Sequence, residues 1–371
     1  MSPGRLTTPS WRQLGIRLGS VVAMMGTIAT SKLSAQGITH DPFPIRFAFT
    51  GDINLGTRTL SDGLPPDSGR GLFAQVASLL SGDLVVGNFE GVLADSGTSD
   101  KCPVKSSHCY AFATPTWLAA RLHDAGFTHL NLANNHANDY GLDWRHHTEE
   151  ALRGLDLTPY GPLDEIAITP VQHDDRTTLV GIIGFTTYPH AYDLLDLGHS
   201  VAVIDSVRPL VDVLVVTFHG GKEGPTAIRT PDGPEFLGKE PRGSLRRWAR
   251  AVLDAGADAV VGHGPHVLRG VEFYKGKPIF YSLGNFLNYR GFSLDGPAGV
   301  TTVLQLELDG DGRFRSARMP ALRQIPRVGP VPDSTRAATR LLQRITRLDF
   351  PKTGALIDAD GTISAPPAPG P

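Results

Sequence analysis

The sequence predicts a mainly α/β fold. Three features point there: short apolar runs alternating with amphipathic stretches, polar or acidic residues placed where those runs end, and a Gly- and Pro-rich background without low complexity. The chain has 371 residues, including 42 Gly and 29 Pro, enough to bury a core unaided as one large α/β domain or two smaller ones. Lys plus Arg is 35 and Asp plus Glu is 37, for a formal charge of −2, which excludes a basic nucleic-acid binder.

The first 17 residues carry Arg5, Arg12 and Arg17 and no acid, and Leu18 to Ser31 is uncharged and mostly apolar or small. This is the profile of an export signal, shorter than the ~20 residues a membrane span needs. Ser34 and Ala35 suit cleavage after Ala35, giving a signal peptide over 1–35 and a linker over 36–44; an uncleaved N-terminal anchor is the alternative. Either way the protein is expected outside the cytoplasm, periplasmic or extracellular. Cys102 and Cys109 are the only cysteines, and an exported chain meets an oxidising compartment, so they are expected to form one local disulfide.

Six apolar runs follow in order. Ile45 to Thr50 leads into Gly51, Asp52 and Asn54, and Leu84 to Val86 into Gly87, Asn88 and Glu90. A helix is expected from Pro115 with Thr114 as its N-cap. Phe127 to Leu132 then leads into Asn134, Asn135, His136 and Asp139, the last expected to cap a helix near Leu142. Val211 to Val216 leads into His219, and a helix capped near Ser244 and ending at Gly256 precedes Ala259 to Val261, which leads into His263 and His266. Ile279 to Tyr281 leads into Gly284 and Asn285. A helical segment over 326–350 and a loose Pro/Gly/Ala-rich tail over 351–371 complete the chain. Turn chemistry explains Gly, Asn and Asp after strands, but it does not call for four of the 13 histidines in such places. In open α/β sheets ligands sit beyond the carboxyl ends of the strands, so these endings would share one cleft if the strands are neighbours.

In order, FTGDINLG (49–56), VVGNFEG (85–91), NLANNHANDYG (131–141), TFHGGKEG (217–224), GADAVVGHGPHVLRGVE (256–272) and GKPIFYSLGNF (276–286) resemble the motifs of the CapA family of poly-γ-glutamate capsule biosynthesis proteins, over about 45–325. That family is regarded as a branch of the calcineurin-like metallophosphoesterases. The resemblance implies a single large domain built as a four-layer αββα sandwich, with metal at the strand ends. Carried over, Asp52, Asn135, His136, His219, His263 and His266 answer the superfamily's metal ligands, and Glu90 offers a further carboxylate. Asn54 stands where the superfamily has His, Asn88 where it has the metal-bridging Asp, and the last motif is one residue longer. A neutral Asn88 cannot offset the repulsion of two cations about 3.5 to 4 Å apart, so one ion is favoured over two. The mixed imidazole and carboxylate set suits Mn, Zn or Fe; a metal-free polar cleft is the alternative.

Within this reading His136, His219 and Glu223 are the candidates for proton handling, and Asn134 and Asn285 for substrate contacts. The expected partners are an anionic capsular polymer such as poly-γ-glutamate and a membrane synthase complex, with no nucleic acid. Two functions are open: a metal-dependent hydrolase or transferase acting on a phosphoester or amide of a cell-envelope polymer, or a non-catalytic component that holds the polymer or organises its synthase.

Overall fold

The strand Pro44–Asn54 is buried over nearly its whole length, because both of its faces are covered. It pairs in parallel with Leu84–Phe89 on one side and antiparallel with Val303–Asp309 on the other, at the centre of a nine-stranded sheet. His129–Asn131 and Thr158–Tyr160 extend that sheet in parallel. A seven-stranded second sheet is built on Val213–His219, which is parallel to Arg176–Thr186 and to Ala259–His263. The structure, a computed structural model, describes residues 43–102 and 109–367. The proposed signal peptide lies outside the described residues, and among those described no helix is long and apolar enough to cross a membrane.

The two sheets face each other. Phe47, Phe49 and Val86 from the first pack in one buried cluster with Val180, Ile182, Val215 and Val261 from the second. The opposite faces are covered by helices. Ala48, Val85 and Leu130 lie under Leu118, Leu122 and Leu152, while Leu214, Val216 and Val260 lie under Val203, Trp248 and Val252. Alternate residues of a strand point to opposite faces, so Phe47 and Ala48, or Val215 and Val216, serve different layers. The result is the four-layer αββα sandwich expected from the motifs.

Three local expectations are corrected. The helix expected from Pro115 begins as a 3-10 turn, Thr116–Ala119, and runs on as Ala120–Asp124. Its entry is capped by Asp95, which accepts from the Thr116 N–H at 2.8 Å, because the Thr114 hydroxyl already donates to the Gly56 carbonyl. Asp139 does not cap Leu142–Arg153; Gly141 holds the N-cap position, and Asp139 points into the cleft. The tail expected to be loose adds strands Leu356–Ile357 and Thr362–Ser364 to the first sheet, with Ile363 buried in the core between the sheets. The helix Leu245–Asp254, with Ser244 at its N-cap position, is as expected, and Ala337–Asp349 lies within the C-terminal helical segment.

Because Pro44–Asn54, Leu84–Phe89 and His129–Asn131 are mutually parallel, as are Val213–His219 and Ala259–His263, the polar endings emerge together at one edge of the sandwich. Asp52 is held there by a close backbone approach: its N–H donates to the Gly284 carbonyl at 2.9 Å. A Cβ on the preceding Gly51 would lie 1.9 Å from that oxygen, so only glycine fits.

Candidate metal centre

Asp52, Asn88, Glu90, His136, His219 and His266 all sit at that edge and are buried. Glu90 stands in the middle. One carboxylate oxygen, Oε1, lies 3.5 Å from His266 Nε2, 3.7 Å from His219 Nε2 and 3.9 Å from His136 Nε2. Among the described residues neither Glu90 oxygen has a hydrogen-bond partner, and neither do His219 Nε2 and His266 Nε2. Buried polar groups are rarely left so, and here they face one another. Burial pushes the Glu90 carboxyl up well above the usual range, and the Asp52 and Glu223 charges add to that. Burial pulls the His266 imidazole down, but Glu90, Asp52 and Glu223 outweigh it and push its pKa up to about 10. Glu90 and His266 thus face each other across 3.5 Å as acid and imidazole.

Each imidazole is oriented through its other nitrogen. His266 Nδ1 is 2.9 Å from Asp52 Oδ2, and His136 Nδ1 is 2.7 Å from Asp139 Oδ2. A carboxylate only accepts, so both Nδ1 atoms carry the proton. In a neutral ring this leaves Nε2 as a lone pair aimed at the centre, the carboxylate–histidine–metal arrangement. His219 is different. The Asn88 carboxamide oxygen accepts from Asn131 at 2.9 Å and Asn134 at 3.3 Å, so its Nδ2 is the atom facing Asp52 Oδ1 at 2.8 Å and His219 Nδ1 at 3.3 Å. His219 Nδ1 thus accepts, and the proton of the neutral ring sits on Nε2. Burial and the nearby Arg242 charge hold the His219 pKa well below its ordinary value, and burial lowers that of His136.

His266 reaches its place by a left-handed backbone, φ 60°. Such a conformation costs a non-glycine residue roughly 1 to 3 kcal/mol and accompanies the extra residue of GHGPH. Glu223 lies at the rim, with Oε2 3.9 Å from His266 Nε2 and Oε1 accepting from the buried Arg242 at 2.6 Å. Phe112 packs tilted against His136 and Phe292 against His266, at ring separations of 4.6 and 4.8 Å, forming an apolar wall beside the centre.

Not every candidate from the sequence converges. His263 turns its Nε2 to the Thr50 carbonyl at 3.0 Å, which removes that nitrogen from the cluster. Asn135 is half-buried, and its backbone carbonyl accepts from Lys101 at 2.8 Å; its neighbour Asn134 serves the network instead, holding Asn88 and the Phe89 carbonyl. Asn285 is the register partner of Asp52, with its Oδ1 buried and unpartnered. Cys102 and Cys109 are disulfide-bonded. The residue before Cys102, Lys101, was missed: its Nζ is 2.5 Å from Asp139 Oδ1 and 3.2 Å from His136 Nδ1. Its place beside a cysteine was the only available signal. Arg242, in EPRG, carried none.

The family model described as bacterial capsule synthesis protein PGA_cap matches residues 46–290. The chain belongs to that family. It is 30% identical over 290 residues to the PGA biosynthesis protein CapA of Bacillus subtilis, covering 74% of this chain and 71% of that one. With the capsule biosynthesis protein CapA of Bacillus anthracis it shares 34% over 224 residues, 58% of this chain and about half, 53%, of the relative. Among solved structures, this PGA_cap member aligns with the NAD nucleotidase of Haemophilus influenzae at TM-score 0.40 and 10% identity, over 89% of this chain and 54% of that one. The purple acid phosphatase PPD1 of yellow lupin gives TM-score 0.36 and 11% identity, over 80% and 55%.

Proposed function

We propose that this capsule-synthesis family member is a hydrolase dependent on a single divalent ion, acting outside the cytoplasm on a polyglutamate-type polymer. The observation that carries the reading is the buried Glu90 carboxylate, unpartnered and faced by three imidazole Nε2 atoms at 3.5 to 3.9 Å. Atoms that ligate one ion at about 2.0 to 2.2 Å stand roughly 3 to 3.6 Å from each other, and donor atoms of Asp52, Glu90 and His266 already lie within 4.8 Å of one another. Asp52, Glu90 and His266 would hold the ion, and His136 Nε2, 3.9 Å from Glu90, would complete its shell. When bound, a divalent ion supplies Lewis-acid activation of water and of the substrate's reacting oxygen.

The protein's own groups supply the rest. His219 is neutral and carries its proton on Nε2, pointed at the centre, where it is placed to hydrogen-bond an oxygen on which negative charge develops. Asp139 fixes the His136 ring, and Lys101 balances the Asp139 charge in the buried site. Phe112 and Phe292 exclude water from one side, which strengthens every charge interaction inside. Export, expected from the N-terminal segment, is supported by the Cys102–Cys109 disulfide.

The test is incubation of purified protein with γ-linked polyglutamate and with p-nitrophenyl phosphate, each with Mn2+, with Zn2+ and with EDTA. Metal-dependent cleavage of the polymer that Glu90→Gln abolishes is the expected result. Metal-free protein that binds polymer without cutting it would assign the scaffold role instead.

A further inference from the structure

Beyond the aromatic wall lies an open cavity of about 630 Å3, lined by Tyr110, Asn288, Tyr289, Arg290, Phe292 and Arg327. Its size falls within the roughly 300 to 1,000 Å3 of small-molecule sites. It adjoins the metal centre directly: Phe292 lines the cavity and also packs on His266, and Tyr110 stacks at 6.3 Å on the same Phe292 ring. Backbone register gives the same continuity, since Asp52 pairs with Asn285 and, past a bulge, Asn54 pairs with Asn288 further along the parallel strands.

Three buried amides mark the way from one to the other. Asn285, Asn54 and Asn288 are 1%, 3% and 6% exposed, and each has one amide atom without a partner among the described residues: Oδ1 of Asn285 and Asn288, and Nδ2 of Asn54. Each thereby keeps one amide group free for a further hydrogen bond. At the outer end, Arg290 is exposed and forms no ion pair among the described residues, and Arg327 has only a loose 3.6 Å contact with an exposed Asp62. Asp295, the one acid in the lining, is engaged by the Ser293 hydroxyl at 2.9 Å.

The geometry points to this cavity as a binding subsite for successive carboxylates of an acidic chain, with Arg290 and Arg327 holding the carboxylates, Tyr110 and Phe292 flanking the aliphatic portions, and the amide row leading the backbone to the metal centre. Guanidinium groups match carboxylates in fork geometry, and aromatic faces cover methylene segments without requiring a particular sequence. The inference rests on the polymer reading above and gives that site its directional entry.

Binding of a fluorescein-labelled γ-linked pentaglutamate to the full chain in EDTA, followed by anisotropy, separates the two ideas because no turnover is needed. Arg290→Gln and Arg327→Gln should each weaken binding about tenfold, the scale of one charge-assisted contact, with unchanged melting temperature and metal content. The isosteric γ-linked pentaglutamine should bind at least tenfold more weakly than the acid. Equal affinity of wild type and both variants, or of acid and amide peptides, would overturn the subsite even if the protein cleaves polymer. Displacement of the peptide by equimolar inorganic phosphate would also overturn it, assigning the arginines to phosphate. Binding that depends on the arginines in a protein that cuts nothing would keep the subsite and remove the hydrolase.

Discussion

Replacing Glu90 by Gln isolates what the centre of the cleft is for. Without metal, two opposing effects are large. A charged Glu90 opposite a charged His266 at 3.5 Å gains about 5 kcal/mol at an effective dielectric of ~20. Burying the carboxylate costs several kcal/mol. They nearly cancel, so the metal-free variant should unfold within about 2 kcal/mol of wild type. The metal response is different, because an ion that binds only the folded state stabilises it by about 4 kcal/mol at a thousandfold excess over its Kd. For a domain of this size that is about 6 °C in melting temperature. Scanning calorimetry in EDTA and in Mn2+ or Zn2+ should therefore show nearly equal melting in EDTA for both proteins and a metal-induced rise in wild type alone. Equal rises in both proteins, or none in wild type, would refute the assignment of Glu90 as the anionic ligand.

Other consequences are direct. Asp139→Asn reverses the hydrogen bond that fixes His136, and should lower metal-dependent turnover by about 100-fold or more while His219 remains in place by crystallography. His129, buried between the Thr128 and Thr169 hydroxyls, has its pKa lowered by burial to about 4. The unfolded chain takes up this proton first, so the His129 contribution is complete above about pH 6.5 and shrinks as pH falls towards 4. At pH 5 the loss should be about 2 kcal/mol, and His129→Gln should flatten that part of the urea-melt pH profile. Cys102→Ser with Cys109→Ser opens a seven-residue separation and should cost about 2.5 kcal/mol by loop entropy. Thiol labelling of unreduced, unfolded wild type should find no reactive cysteine.

Much of this arrangement was legible in the sequence, for a physical reason. A run such as Leu84 to Val86 can only be a buried strand between covering layers, and the residues after it must then sit at the sheet edge, so Asp52, Glu90, His136, His219 and His266 were readable as edge residues. Their meeting depends on the parallel pairing of strands far apart in sequence, which the family motifs implied and local pattern did not. The misreadings have local causes. Asp139 fits an N-cap by spacing, but a histidine three residues earlier offered a stronger partner in a buried site. His263 ends a buried strand just as His219 does, yet its ring meets the Thr50 carbonyl, a contact fixed by how the two sheets stack. Lys101, Arg242 and Phe292 come from segments whose positions no periodicity encodes. The C-terminal strands were hidden by Pro- and Gly-rich flanks, which mask short edge pairings.

The most direct test is crystallographic: crystals grown with Mn2+ or Zn2+, with anomalous difference density collected at the metal edge. The account predicts one peak, 2.0 to 2.3 Å from a Glu90 oxygen and from Nε2 of His136 and His266, with His219 Nε2 outside bonding distance. Two peaks bridged across Asn88, or a peak centred on His263 and Asn135, would contradict it.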